Sequence, residues 1–196
     1  MEFIETLYVK NGNILNLEYH LERIKRTAKH FKWKTNLSEK LKVKSEKLKV
    51  KSEKLRMRVI YNEKEVKKIE FFPIKQRKFK KFKIINADNF DYKFKYKNRQ
   101  FFTLHFSLYT QFDEFILIKN HLITDTTISN LAFYTGSEWI TPKYPLLKGT
   151  KRAELLDKGF LKEENIHKSD LKYFKKMAMI NAIVGFYEID DYDIIL

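Results

Sequence analysis

Five histidines, a lysine-rich stretch and one short turn are the features whose chemistry must be weighed first. His20 and His30 are ten residues apart, and His105, His121 and His167 are isolated, so none has the spacing of a metal ligand set. None of the patterns G-x-S-x-G, G-x-G-x-x-G or G-x-x-x-x-G-K-[ST] occurs, which leaves a serine triad and the usual phosphate loops unsupported. With no cysteine, thiolate zinc sites, iron–sulfur clusters, disulfides and cysteine nucleophiles are excluded. Gly149-Thr150 follows Pro145-Leu146-Leu147-Lys148 and opens a predicted helix. Free N–H groups and the dipole at a helix N-terminus suit a phosphate, and Lys151 and Arg152 add positive charge. In FDYKFKYKNR, Lys93, Lys95 and Lys97 alternate and by themselves read as the wet face of a strand.

The chain of 196 residues is long enough for one domain or two small lobes. It is 43% hydrophobic and 15% aromatic, too apolar for a disordered chain despite 33% charge. The opening MEFIETLYVK has no basic and apolar leader, and no apolar run approaches the ~20 residues that span a bilayer. A soluble cytoplasmic protein is the expectation. The net charge of +15 would suit an anionic partner, but it is local. Residues 38–58 carry nine Lys/Arg against three Glu, and residues 74–83 carry six Lys/Arg and no acid. The first of these is a repeat: SEKLKVK, SEKLKVK, SEKLRMR. Its apolar spacings of two and five do not make a coiled-coil seam. Its period-two alternation suits a strand with one wet face, and residues 38–51 read as a tandem duplication inserted before a strand at about 55–61, with a solvated loop or a functional polybasic arm as the alternatives.

Hydrophobic periodicity supplies the framework. Residues 2–9 alternate as a strand, Asn11-Gly12 is a hairpin turn and Asn16 is a candidate helix cap. Leu17, Leu21, Ile24, Ala28 and Phe31 recur at spacings of 4, 3, 4 and 3, one buried stripe of a helix. Strands follow at about 55–61 and 67–72, giving a first lobe over 1–75 that contains the repeat. A second lobe over 80–196 begins with a strand near 82–87 and a helix within 97–111. It continues with strands near 114–119, 121–124, 130–134 and 138–141, a helix over 150–158 stopped by Gly159, and a last helix over 168–180. The mixture predicts a two-lobed α/β (α+β) class.

Five ordered stretches are similar to those of the class IV aminotransferases, pyridoxal-phosphate (PLP) enzymes of fold type IV. Phe3-Ile4-Glu5-Thr6 resembles the opening F-x-E-T strand, and His20-Leu21-Glu22-Arg23 the H-L-x-R helix. Lys95-Tyr96-Lys97-Asn98-Arg99 resembles the K-x-x-N-R segment that holds the cofactor lysine. Asp125-Thr126-Thr127-Ile128-Ser129-Asn130 resembles E-x-x-x-S-N. Trp139-Ile140-Thr141-Pro142 and Leu147-Lys148-Gly149-Thr150-Lys151-Arg152 resemble the T-P and L-x-G-I-T-R run. The resemblance implies a D-amino acid aminotransferase-like architecture, PLP as cofactor and a homodimer.

It also implies roles. Lys95 would carry the cofactor and serve as acid and base, with Asn98-Arg99 fixing the register against Lys97. Asp125 would pair with the pyridine nitrogen, although the family usually has Glu there. Arg23 would hold the phosphate, together with backbone N–H groups of the Gly149-Thr150-Lys151 turn, where Thr-Lys replaces the family's Ile-Thr. Leu147 would pack under the ring, and Ser129 and Asn130 would brace the loop. Arg58 and Arg99 are candidates for substrate carboxylates. The segment INAIVGFYEIDD has no clear counterpart to the family loop that binds phosphate and substrate carboxylate. Three functions follow: a lyase converting 4-amino-4-deoxychorismate to 4-aminobenzoate and pyruvate, favoured by the K-x-x-N-R form; an aminotransferase of branched-chain or D-amino acids; and, remotely, a basic nucleic-acid-binding module in which Phe79 and Phe82 interleave with lysines.

Overall fold

The computed structural model describes residues 1–46 and 54–195. They form two compact units, Met1–Lys75 with Phe94–Asn98, and Gln76–Lys93 with Arg99–Leu196. The expected lobe boundary of 75/80 therefore needs one change: the segment carrying Lys95 belongs to the first unit. Main-chain pairing is the reason. Ile4 N–H donates to Lys95 O (2.9 Å), Lys97 N–H donates to Glu2 O (2.9 Å), and Phe3 bridges Tyr96.

The first unit is a four-stranded antiparallel sheet covered by two helices. Strands β1 (Phe3–Lys10), β2 (Asn13–Ile14), β3 (Lys54–Tyr61) and β4 (Val66–Pro73) lie in the order β2-β1-β3-β4. The β1–β2 turn uses Asn11 and Gly12 at positive φ, as the Asn-Gly pair requires. Helix α1 (Leu17–His30) buries Leu21 and Ile24 on Phe3, Leu7 and Met57. Asn16 sits before it in the left-handed region and makes no side-chain cap, so its expected capping role is not fulfilled. Aromatic rings close the core around fully buried Phe3, whose centroid lies 5.2–5.7 Å from those of Tyr96, Phe31, Trp33 and Tyr61.

The first repeat copy is neither strand nor loop. It lies in helix α2 (Leu37–Glu46), where Leu37 and Leu41, four residues apart, turn into the core while Val43 stays exposed. One extra leucine before the copy converts a period-two pattern into a helical one. Residues 47–53, most of the second copy and the start of the third, lie outside the described residues.

The second unit is a nine-stranded mixed sheet with two helices. It contains β5 (Lys81–Asn86), α3 (Gln100–Leu108), β6 (Glu114–Lys119), β7 (Leu122–Thr126), β8 (Asn130–Tyr134), β9 (Trp139–Pro142), α4 (Thr150–Asp157), β10 (Leu161–Glu164), β11 (Met177–Asn181), β12 (Gly185–Ile189) and β13 (Asp193–Ile195). The order is β10-β9-β8-β7-β6-β5-β13, with β11 joining β8 to β12. The helix expected over 168–180 is instead a 3₁₀ turn, Lys168–Tyr173, followed by β11. Met177 and Met179 are buried in one core cluster and Ala178 and Ile180 in another, so both faces of the strand are covered and the alternation that marks a strand is missing. Phe79 and Phe82 are buried in this unit's core, which removes the stacking platform on which a nucleic-acid reading rested. Among the described residues no helix is long and apolar enough to cross a membrane.

Truncating Phe3 removes the ring at the centre of the aromatic cluster. Phe3→Ala should destabilise the first unit by about 3–5 kcal/mol, read by urea unfolding through Trp33 fluorescence in a Trp139→Phe background. A loss below about 1 kcal/mol would show that the cluster does not depend on this ring.

Candidate functional site

In the first unit the chemistry gathers on β1. Glu5 lies between Phe3 and Leu7 on the core side of the strand and is completely buried. Its Oε1 accepts Arg23 Nε (2.8 Å), and Oε2 accepts both Arg23 Nη2 and His20 Nδ1 (2.6 Å). His20 and Arg23 are three apart on α1, so one helical face presents both to one carboxylate. Burial opposes ionisation of Glu5, but the Arg23 charge and the hydrogen bonds from His20 and Arg23 outweigh it and hold the carboxyl at about 2. Burial pushes the His20 pKa down, only partly offset by Glu5, and the charges of Arg23 and Lys95 add to the fall. His20 is therefore neutral near pH 7. Burial also pushes the Tyr61 phenol up, with the Glu5 charge acting in the same direction.

Lys95 is half-buried, and its main chain is fixed to β1 at Ile4, the residue before Glu5. Its neighbours differ. Lys97 is exposed and ion-paired to Glu2 (2.7 Å), and Lys93 is exposed with Asp91 at 4.0 Å. The three lysines that look equivalent in sequence thus have three environments. The charge of Lys95 acts on His20 in the buried cluster. Arg58, on β3 opposite Thr6 and Glu70, is half-buried, and its Nε is a buried donor without a hydrogen-bond partner among the described residues.

In the second unit Asn130 is the hub. Its Nδ2 donates to Asp125 Oδ1 (2.6 Å) and to Leu147 O (2.8 Å), and its Oδ1 accepts Gly149 N–H (3.1 Å). Asp125 Oδ2 accepts Leu147 N–H (2.8 Å). The turn from Leu147 to Gly149 is thereby clamped to the end of β7. A Cβ at position 149 would lie 2.0 Å from Asn130 Oδ1, so only glycine fits. Ala153 N–H closes the first turn of α4 on Gly149 O (3.0 Å), and the N–H groups of Thr150 and Lys151 precede it, as an anion site requires. The side chains add less than their charges promised. Lys151 is paired with Glu154 (2.8 Å), and Arg152 with Glu163 (2.6 Å), Thr141 and Pro142 O.

Burial raises the Asp125 pKa to about 7, against the Leu147 N–H, the Asn130 amide and the more distant charge of Arg152. Its carboxylate is met by neutral donors, the Asn130 amide and backbone N–H groups, and among the described residues no cation forms an ion pair with it. A buried carboxylate among neutral donors is matched to a protonated ring nitrogen, so this donor set fits PLP despite the shorter side chain.

The sequence reading missed two braces. Asn181 donates to Ser129 Oγ (2.8 Å) and takes Ile183 and Val184 N–H on its Oδ1, which ties the β11–β12 turn to the loop that ends in Asn130. Glu114 Oε1 accepts the Thr127 hydroxyl (2.7 Å), and Arg99 Nη2 donates to Thr127 O (2.8 Å) with the guanidinium over Phe102. Arg99 thus holds the chain at Thr127 in this structure. A lone Asn after a hydrophobic run and a Glu opening a strand carry no sequence signal of their own.

Two outcomes test this geometry. Gly149→Ala should destabilise the second unit by about 1–3 kcal/mol through the collision with Asn130, seen as a lower melting temperature, and an unchanged one would exclude the clamp. Asp125, with a folded pKa above its unfolded value, contributes stability that is full below about pH 4 and lost as pH rises through about 7. The stability of the PLP-free wild type relative to Asp125→Asn should therefore fall between pH 4 and pH 8. A difference that stays constant or grows would contradict the buried, uncompensated carboxylate.

The family model for class IV amino-transferases matches residues 2–192. An uncharacterized protein of Haemophilus influenzae is 32% identical over 186 residues, covering 92% of this chain and 97% of its own. Among solved structures, a provisionally named 4-amino-4-deoxychorismate lyase of Haemophilus somnus superposes with a TM-score of 0.82 at 28% identity, covering 94% and 97% of the two chains. A provisionally named amino-acid aminotransferase of Mesorhizobium loti gives a TM-score of 0.83 at 25% identity, with 99% of each chain covered. The fold is that of the fold type IV PLP enzymes, and the chain belongs to the class IV aminotransferase family.

Proposed function

We propose that this chain is a PLP-dependent lyase that converts 4-amino-4-deoxychorismate to 4-aminobenzoate and pyruvate, a step toward folate. The observation that carries the PLP chemistry is the distinct setting of Lys95, half-buried and paired through its main chain to β1 beside the Glu5–His20–Arg23 cluster. The lyase outcome is supported by Asn98-Arg99 in the K-x-x-N-R form and by the similarity to the Haemophilus somnus protein. An aminotransferase is the second reading, supported by the equal likeness to the Mesorhizobium loti protein.

PLP, when bound, draws electron density from the substrate's α-carbon and so makes its proton acidic. Lys95 would carry the cofactor and then remove that α-proton as a neutral amine, which burial favours by disfavouring the ammonium. Asp125 would accept the ring nitrogen's proton in a hydrogen bond and balance its charge. Arg23 would take the phosphate as a fixed cation, with the N–H groups of Gly149, Thr150 and Lys151 as the backbone donors, and Leu147 would pack on the ring. Asn130 holds Asp125 and the 147–149 turn in one register. Arg58, with an unpartnered Nε, is the stronger candidate for a substrate carboxylate, and Arg99, already engaged at Thr127 O, the weaker. The reading carries with it a homodimer in the cytoplasm acting on a small molecule.

The test is a spectrum of the purified protein with PLP before and after borohydride. Wild type should gain a near-visible band that reduction makes covalent at Lys95, and Lys95→Ala should gain neither. Pyruvate release from 4-amino-4-deoxychorismate without an amino acceptor would identify the lyase, and transfer of an amino group to a 2-oxo acid would identify the alternative. Absence of any band in wild type would remove both.

A further inference from the structure

We infer that Glu5 is a positioning residue that aims the Arg23 guanidinium at the phosphate of the cofactor. The inference rests on the PLP reading above and adds a residue to it. Glu5 is fully buried on the core face of β1 between Phe3 and Leu7. A carboxylate there is poorly explained by stability, because a well-packed apolar residue in place of a buried ion pair is often neutral or stabilising. What the carboxylate adds is direction.

Arg23 has a long stem and several rotamers, yet it is only 6% exposed. Nε and Nη2, one edge of the guanidinium, both meet Glu5, Nε at 2.8 Å. A planar fork held along one edge has its plane and its opposite edge fixed as well. His20 Nδ1 at 2.6 Å sets the carboxylate from the α1 side, so the carboxylate itself cannot turn. The charge of Lys95 acts on His20, which places the proposed cofactor lysine in the same electrostatic cluster as the fork. Ile4 N–H, one residue from Glu5, fixes the main chain of Lys95. The lysine and the aimed guanidinium therefore share one strand as their reference.

A competing effect has the opposite sign. Glu5 is anionic, and its charge weakens the pull of Arg23 on a phosphate. If attraction dominated, removing the Glu5 charge would tighten PLP binding; if orientation dominates, it weakens binding. The fork geometry favours orientation, because a guanidinium without its edge partner is released among several rotamers.

Binding of PLP and of pyridoxal, which has the same ring and aldehyde without the phosphate, separates these cases. Both would be titrated by absorbance into wild type, Glu5→Gln, Glu5→Asp, Arg23→Met and the Glu5→Gln/Arg23→Met double variant, each checked for folding by circular dichroism and melting. Glu5→Gln should weaken PLP about tenfold or more and change pyridoxal by less than about threefold. Glu5→Asp keeps the charge but retracts the fork, and should show the same phosphate-selective loss if Glu5→Gln fails to fold. The double variant, with no buried ion left unpaired, should bind PLP no more weakly than Arg23→Met alone. Unchanged or tighter PLP binding in a folded Glu5 variant overturns the inference, as does an equal loss for PLP and pyridoxal. A wild type that binds neither ligand overturns the PLP reading itself, and that result is read from the first titration alone.

Discussion

A single carboxylate organises the first unit. Glu5 is the point where a strand, a helix and the Lys95 segment acquire a common frame. All three of its donors, two on Arg23 and one on His20, come from α1, and the main chain of the preceding residue holds Lys95. A buried anion is tolerated only when its partners are nearly complete. The rest of the unit meets that condition by packing aromatic rings around Phe3, which keeps water away and leaves the cluster to satisfy itself. Without the ring cluster the carboxylate would be hydrated and its geometry loose. Without the carboxylate, Arg23 would be an uncompensated buried cation.

The second unit solves a similar problem with neutral groups. Asn130 offers two donors and an acceptor, and all are used within the span from Asp125 to Gly149. An amide can clamp two loops at once without bringing a charge, so the one charged member, Asp125, remains electrostatically unbalanced. Satisfying the hydrogen bonds of an acid while withholding a counter-charge leaves it responsive to a cationic ligand. The two clusters have opposite logic: Glu5 is charged and compensated, Asp125 is buried and waiting.

Much of the framework was legible in the sequence because it follows from periodicity. The stripe of Leu17, Leu21 and Ile24, the Asn11-Gly12 turn and the alternation of β1 each depend on nearest neighbours alone. The errors have two causes, burial on both faces of a strand and a local alternation that hides a longer spacing. Met177 to Ile180 read as a helix because separate core clusters cover the two faces of the strand and erase its alternation. The first repeat copy read as a strand because Leu41 and Val43 alternate locally, whereas Leu37 supplies the partner at the helical spacing. At the candidate site the ordered motifs pointed to Lys95, Arg23, Asp125 and Asn130, but not to what holds them. Glu114 and Asn181 act through hydrogen bonds across 13 and 52 positions, a relation that no local pattern encodes.

The first unit is discontinuous, and that has a consequence for how the protein is made. Met1–Lys75 contains the sheet and both of its helices, yet Phe94 and Tyr96, which pack against Phe3 and Phe31, are supplied only after an excursion through residues 76–93. During synthesis the nascent sheet must persist with an open aromatic flank until about residue 98 has left the ribosome, and closing that loop costs chain entropy before the contact repays it. The strand edge at Phe3 is exposed for the same interval. A chaperone acting on this protein would meet its most adhesive surface at that stage, and a chain cut short between residues 75 and 93 would retain it permanently.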